Sequence, residues 1–188
     1  MAGDAARKMA TYEDVLAAPD HVVAEVIRGS LSLLPRPRPL HARTSSRLTM
    51  RLAGFDGDGD DGPGGWVILD EPELHLGSEI VVPDLAGWRR ERMPEIPTDQ
   101  PYFVLGPDWA CEVLSPSTVR IDRGEKRAIY AEHGVRHLWL VDPDAQTLEV
   151  LRLDGPTYRI MATHAGDARV RAEPFDALEL PLASLWQR

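Results

Sequence analysis

The 188-residue chain has one cysteine, Cys111, which excludes an internal disulfide and a cysteine-based zinc cage. No apolar run reaches the roughly 18 residues that a membrane-spanning helix needs, so no membrane association is expected. The opening Met-Ala-Gly-Asp-Ala-Ala-Arg-Lys has no apolar core behind its charges. It does not read as a secretory signal, and the expected compartment is the cytoplasm. Lysine is scarce: of 21 basic residues only Lys8 and Lys126 are lysines. Acid is missing between Glu25 and Asp56, a stretch that carries Arg28, Arg36, Arg38, Arg43, Arg47 and Arg51. With a net charge of −9, the rest of the chain is strongly acidic. That balance argues against a protein that coats nucleic acid and leaves either a local basic face for a polyanion or a solvated helix face.

What is present is ordinary globular composition, 43% hydrophobic and 27% charged, too apolar for a disordered chain. Residues 1–10 read as a flexible tail and residues 11–188 as one domain. Thr11 to Asp14 has capping-box spacing and opens a short helix before Pro19. His21 to Pro35 gives two apolar runs around Arg28-Gly29-Ser30, the pattern of a hairpin. Pro35, Pro37 and Pro39 interrupt regular structure, and His41 to Ala53 has helical spacing. Asp56 to Gly65 is Asp, Gly and Pro alone and reads as a mobile loop. Its first positions resemble a calcium loop, but Asp61 and Val67 stand where Gly and a bidentate Glu belong. Strands are expected at Trp66–Leu69, Glu79–Trp88, Trp109–Leu114 and His137–Val141. Pro83 in the second marks an edge, a bulge or a junction. A helix is expected over about Asp122 to His133, and a hairpin over Thr147–Leu153 and Tyr158–Met161. The class is α+β, or mixed α/β.

Glu112 is the most informative position. It lies inside Trp-Ala-Cys-Glu-Val-Leu, the segment most like a buried strand, where an unpaired carboxylate costs several kcal/mol. It needs an arginine, solvent or a cation. Asp84 ends the apolar run Ile80-Val81-Val82-Pro83. Two carboxylates on neighbouring strands can chelate a hard cation such as magnesium, with a backbone carbonyl beside Glu112 as a further ligand. Lys126 stands out as a compact ammonium in a chain that otherwise uses Arg; its plainer reading is an (i, i+4) salt bridge from Asp122. Tyr130 lies one turn further on. Cys111 should face the opposite side of the strand and pack in the core. The remaining histidines show no zinc spacing, and the tryptophans read as core.

The ordered set Pro83-Asp84, Glu112-Val113-Leu114-Ser115-Pro116-Ser117-Thr118, Asp122 to Lys126 to Tyr130, and Gly134-Val135 to Trp139-Leu140-Val141-Asp142-Pro143 resembles the Uma-two family of restriction endonucleases, within the PD-(D/E)XK nuclease superfamily. Glu25-Val-Ile-Arg-Gly29 and His41 also fit its pattern. The likeness spans roughly residues 11–186. It implies a restriction-endonuclease-like core: a central mixed sheet flanked by helices, with extra antiparallel strands. It also implies a DNA endonuclease dependent on Mg2+, with Mn2+ able to substitute. Asp84, Glu112 and the Val113 backbone would hold the metal, and Lys126 would orient the attacking water. Glu25 would be an auxiliary acid, with His41, Tyr130 and Ser115 as neighbours of the site. The lysine of Glu-X-Lys is Leu114 here, so the resemblance moves that role to Lys126 on the next helix. Arg36, Arg38, Arg43 and Arg47 are expected on the DNA backbone, and a homodimer would suit a nuclease that cuts two strands. The alternatives are an inactive module that keeps the fold, and a hydrolase of another phosphoester such as RNA.

Overall fold

The computed structural model describes residues 9–57 and 62–187. The first eight residues of the expected tail, and residues 58–61 of the calcium-like loop, lie outside the described residues. In chain order the elements are α1 (Tyr12–Leu16), β1 (Val22–Ile27), β2 (Ser30–Pro35), α2 (Pro39–Leu52), β3 (Trp66–Asp70), β4 (Leu74–Leu76), β5 (Glu79–Val81), β6 (Leu85–Arg89) and β7 (Trp109–Val113). Then come α3 (Val119–Ile121), a π-helical turn (Asp122–Lys126), α4 (Arg127–Glu132), β8 (His137–Asp142), β9 (Thr147–Asp154), β10 (Thr157–Ala165), β11 (Arg169–Val170), β12 (Leu180–Pro181) and α5 (Ala183–Trp186). The fold is mixed α+β. A six-stranded sheet runs in the order β10-β9-β8-β7-β6-β3; only β7 and β8 pair in parallel, joined by the helical crossover between them. A smaller antiparallel sheet runs β2-β1-β5-β4.

The expected strand Glu79–Trp88 is in fact two. β5 belongs to the small sheet and β6 to the large one, and Val82-Pro83-Asp84 is the crossing between them. Proline ends the first ladder because it has no N–H to donate. This junction puts Asp84 where β6 meets β7, since Leu85 pairs with Cys111. The β1–β2 hairpin turns through Arg28 and Gly29, both with positive φ, as a two-residue turn of this twist requires. The Arg28 N–H donates to Glu79 Oε2 at 2.7 Å, which holds the non-glycine residue in place.

Alternation on β7 sorts its side chains between two cores. Trp109, Cys111 and Val113 face a cluster with Leu48 and Leu52 of α2 and Leu185 and Trp186 of α5. Phe175 is the hub of that cluster, with ring centroids 4.8 Å from Trp66 and 4.9 Å from Trp109. Ala110 and Leu114 face the other side, against Ile129, Tyr130 and Ala131. Glu112 shares that second side. The tryptophans are core residues, as expected. Among the described residues no helix is long and apolar enough to cross a membrane.

One half-buried base sets an acid limit on the fold. Burial, then Arg136, Arg152 and Arg89, hold His137 down at about 4, from 6.5. It is neutral when folded, while the unfolded chain takes up its proton below about 6.5. Its share of the stability is therefore complete above pH 6.5 and is lost as the pH falls toward 4. Allowing for partial exposure, that share is about 1–2 kcal/mol. Melting temperatures between pH 7 and pH 4 should fall less steeply for His137→Gln than for the natural chain. Parallel slopes would remove His137 from the acid sensitivity.

Candidate active site

The site forms where the sheet junction, β7 and the π-helical turn meet. A π turn carries one extra residue per turn relative to an α-helix, and here it turns both Asp122 and Lys126 inward. The helical crossover is pinned from outside. Arg123 makes a two-pronged ion pair with Glu149 of β9, at 2.9 and 2.8 Å, and Arg127 donates to the Tyr158 carbonyl. These contacts aim Lys126 at the sheet.

Glu25, Glu112, Asp122 and Lys126 are 0%, 2%, 3% and 2% exposed, and they lie together. The Lys126 ammonium is 2.8 Å from Glu112 Oε1, 3.1 Å from Glu25 Oε1 and 3.0 Å from the Val82 carbonyl, to which it donates. Asp122 Oδ1 is 4.0 Å away. Tyr130 donates its phenol proton to Glu112 Oε1 at 2.5 Å. The Val82 N–H donates to Glu25 Oε1 at 2.7 Å. Val82 is thus held through both its backbone groups, so Glu25 and Lys126 also fix the junction that delivers Asp84. Asp84 Oδ2 accepts the Val113 N–H at 2.7 Å, and its Oδ1 lies 3.2 Å from His41 Nε2. Glu25 Oε2 and His41 Nδ1 are buried without a protein partner.

The electrostatics follow from burial and crowding. Burial pulls the Lys126 ammonium pKa down, but Glu112, Glu25 and Asp122 outweigh it and hold Lys126 protonated. Burial pushes the Glu112 carboxyl well up; Lys126 opposes this, and Asp122 and Asp84 add to it. Burial likewise raises Asp122 to about 6, against the pull of Lys126. Burial and Glu112 keep Tyr130 a neutral phenol, able to donate. At His41 burial lowers the pKa, but Asp84 more than restores it. Four carboxylates thus surround one ammonium and one imidazole, so the floor of the site favours a cation.

A cavity of about 300 Å³ opens onto this floor, lined among others by Asp84, Glu112, Asp122, Lys126 and His41, with Ser115 on its edge. Ser115 bonds to Ser117 and Thr118 across the turn after β7. Arg36 and Arg38 line the cavity. Arg43 and Arg47 lie on the opposite flank of α2 from Ala42, Ser45 and Thr49, which line an adjoining depression. Glu25 does not line the cavity; it backs Lys126 from behind. Leu114, where the superfamily lysine would stand, is buried in the apolar core. Asp122 joins this cluster beside the residues that the resemblance implies. Its signal was the spacing Asp122, Lys126, Tyr130, one residue per turn on one face.

Among the described residues, no three His, Cys, Asp or Glu side chains cluster tightly enough to cage a metal unaided. Asp84 and Glu112 are hard oxygen donors on the cavity wall, with the Val113 main chain beside them. That set suits magnesium, which binds few carboxylates and keeps waters.

The fold has a structural relative. A solved structure of a "putative nuclease" from Anabaena variabilis matches with a TM-score of 0.72 over 94% of this chain and 97% of that one. The two are 23% identical, so the likeness is one of fold. No curated protein matches the chain. Residues 9–183 match the Uma-two family, described as "Putative restriction endonuclease", and the chain belongs to that family.

Proposed function

We propose that this chain is a magnesium-dependent endonuclease that hydrolyses phosphodiester bonds of DNA. The observation that carries the reading is the contact of Lys126 with Glu112 at the floor of a cavity that also presents Asp84. Asp84, Glu112 and the Val113 carbonyl would hold the ion. It would supply charge to offset the non-bridging phosphate oxygens and lower the pKa of a bound water.

The chain's own residues do the rest. Tyr130 holds the Glu112 carboxylate in one orientation through its hydrogen bond. An ammonium has three donors, and those of Lys126 go to Glu112, Glu25 and Val82. To orient a water beside a phosphate it must exchange one of them. Glu112 is the partner to release, because it lines the cavity and Glu25 does not. Glu25 then keeps the ammonium charged and in place. The Asp84 contact makes His41 a positioning residue for that carboxylate. Arg36 and Arg38 receive the flanking phosphates, while Arg43 and Arg47 extend the basic strip beyond the cleft.

The same saturation of Lys126 and Asp84 favours a second reading, an inactive module whose polar cluster only holds two sheets together. Incubating labelled DNA with the protein and Mg2+ or Mn2+, with and without a chelator, separates the two. Chelator-sensitive cleavage supports the first reading, and intact DNA under every condition supports the second. A labelled RNA strand in parallel tests the wider substrate class.

Binding should depend on salt through counterion release. Arg36→Ala with Arg38→Ala should lower the slope of log K against log salt by about 2, roughly one per lost phosphate contact. The pair Arg43→Ala and Arg47→Ala should lower it less. An unchanged slope in the first pair would take that arm out of the interface.

A further inference from the structure

The cavity over Lys126 does not stand alone. A second depression of about 360 Å³ adjoins it along α2, and a third of about 350 Å³ lies toward Pro116 and Pro143. His41 lines all three. The first and second also share Pro37 and Asp84, and the first and third share Arg38 and Ser115. The three depressions thus adjoin one another around His41, and we read them as one groove that passes over the site.

Three features of this groove bear on what fits it. Glu112, Asp122 and Lys126 are almost wholly buried, so a phosphate must descend to the floor to reach them. The lining also has an apolar part, Val23, Leu34 and Pro35, which suits a base or sugar rather than a second charged backbone. The charge of the rims is uneven. Arg36, Arg38 and Glu71 line the first cavity, Asp70 and Glu71 the second, and Arg38 and Asp144 the third. A duplex carries a second row of phosphates, and beyond Arg36 and Arg38 the three linings offer no further arginine to receive it, in a chain of net charge −9. Like charges set opposite each other at a binding surface select against the wrong partner.

We propose that this groove accepts a single, unpaired DNA strand, with Arg36 and Arg38 on its phosphates and a base or sugar against the Leu34 wall, and excludes intact duplex. The inference rests on the nuclease reading and narrows its substrate. Bulges, overhangs and melted regions are then substrates, and fully paired DNA is not.

The test uses the full chain with Mn2+ and oligonucleotides of one sequence, about 30 nucleotides long, to exceed a single groove. They are offered as single strand, perfect duplex, and duplex with a central unpaired bubble. Cleavage should favour the single strand and the bubble over duplex by at least about tenfold, or 1.4 kcal/mol. Equal or faster cutting of duplex overturns the proposal. If no substrate is cut, the hydrolytic reading fails, and fluorescence anisotropy still decides this one. Single strand should bind at least about tenfold tighter than duplex, and equal binding overturns it. The combined variant Asp70→Asn, Glu71→Gln, Asp144→Asn should raise duplex affinity more than single-strand affinity. An unchanged ratio would overturn the role given to the acidic rims.

Discussion

Lys126→Met is expected to abolish cleavage and to cost the fold about 3–5 kcal/mol, the usual penalty for removing one member of a buried ion cluster. Methionine fills nearly the same space, so packing changes little. What changes is charge: Glu112, Glu25 and Asp122 lose the ammonium between them. Lys126 now pulls the Glu112 and Asp122 carboxyls down against burial. Without it both rise further and hold protons in the folded state. The sign of the pH effect follows. The folded variant then binds more protons than the unfolded chain, so its stability falls as pH rises through the raised carboxyl range. Thermal melts of the variant should be highest near pH 5 and drop toward pH 8, relative to the natural chain. A variant that keeps both its activity and its pH profile would show Lys126 to be incidental. Lys126→Arg should also fail, because a planar guanidinium cannot reach three acceptors set around a point charge.

Asp84→Asn carries the second large effect. The amide oxygen can still accept the Val113 N–H, so the β6–β7 start should hold. The lost charge removes one of the two carboxylates proposed to hold the metal. We expect a rate loss of about 10²–10³ or more, the scale seen when a group stabilising developing charge is removed, with a much weaker manganese affinity. His41 gives a separate readout. Asp84 is what restores its pKa against burial, so the His41 imidazole signals in an NMR titration should move to lower pH in the variant. Full activity in Asp84→Asn would remove it from the metal set.

The residues differ in how plainly they declared themselves. Glu112 was legible because the apolar run around it demands a buried strand, and a carboxylate inside such a run needs a partner. The β1–β2 hairpin, α2 and the β9–β10 hairpin were legible from local spacing and turn residues. The split of Glu79–Trp88 was legible only as one of three readings of Pro83, an edge, a bulge or a junction, because nothing local says that it hands the chain from one sheet to another. β4 has three residues, too few for a period to show. The π turn escaped because its sequence, Asp-Arg-Gly-Glu-Lys, reads as any exposed helix, and only the surrounding packing makes Asp122 and Lys126 buried. The His41–Asp84 pair is a tertiary contact that no spacing rule reaches. The resemblance implies the grouping of Glu25, Asp84, Glu112 and Lys126, and in the fold Glu25 stands behind the lysine rather than on the cavity wall.

The central claim is that Glu112 is a metal ligand and not only the counter-ion of Lys126. Calorimetric titration with Mn2+, which binds such sites more tightly than magnesium, tests it directly on the natural chain and on Glu112→Gln. Glutamine keeps an oxygen for Tyr130 and Lys126 while removing the charge. The account predicts binding to the natural chain and none to the variant, with or without DNA present. Equal binding to both would contradict it.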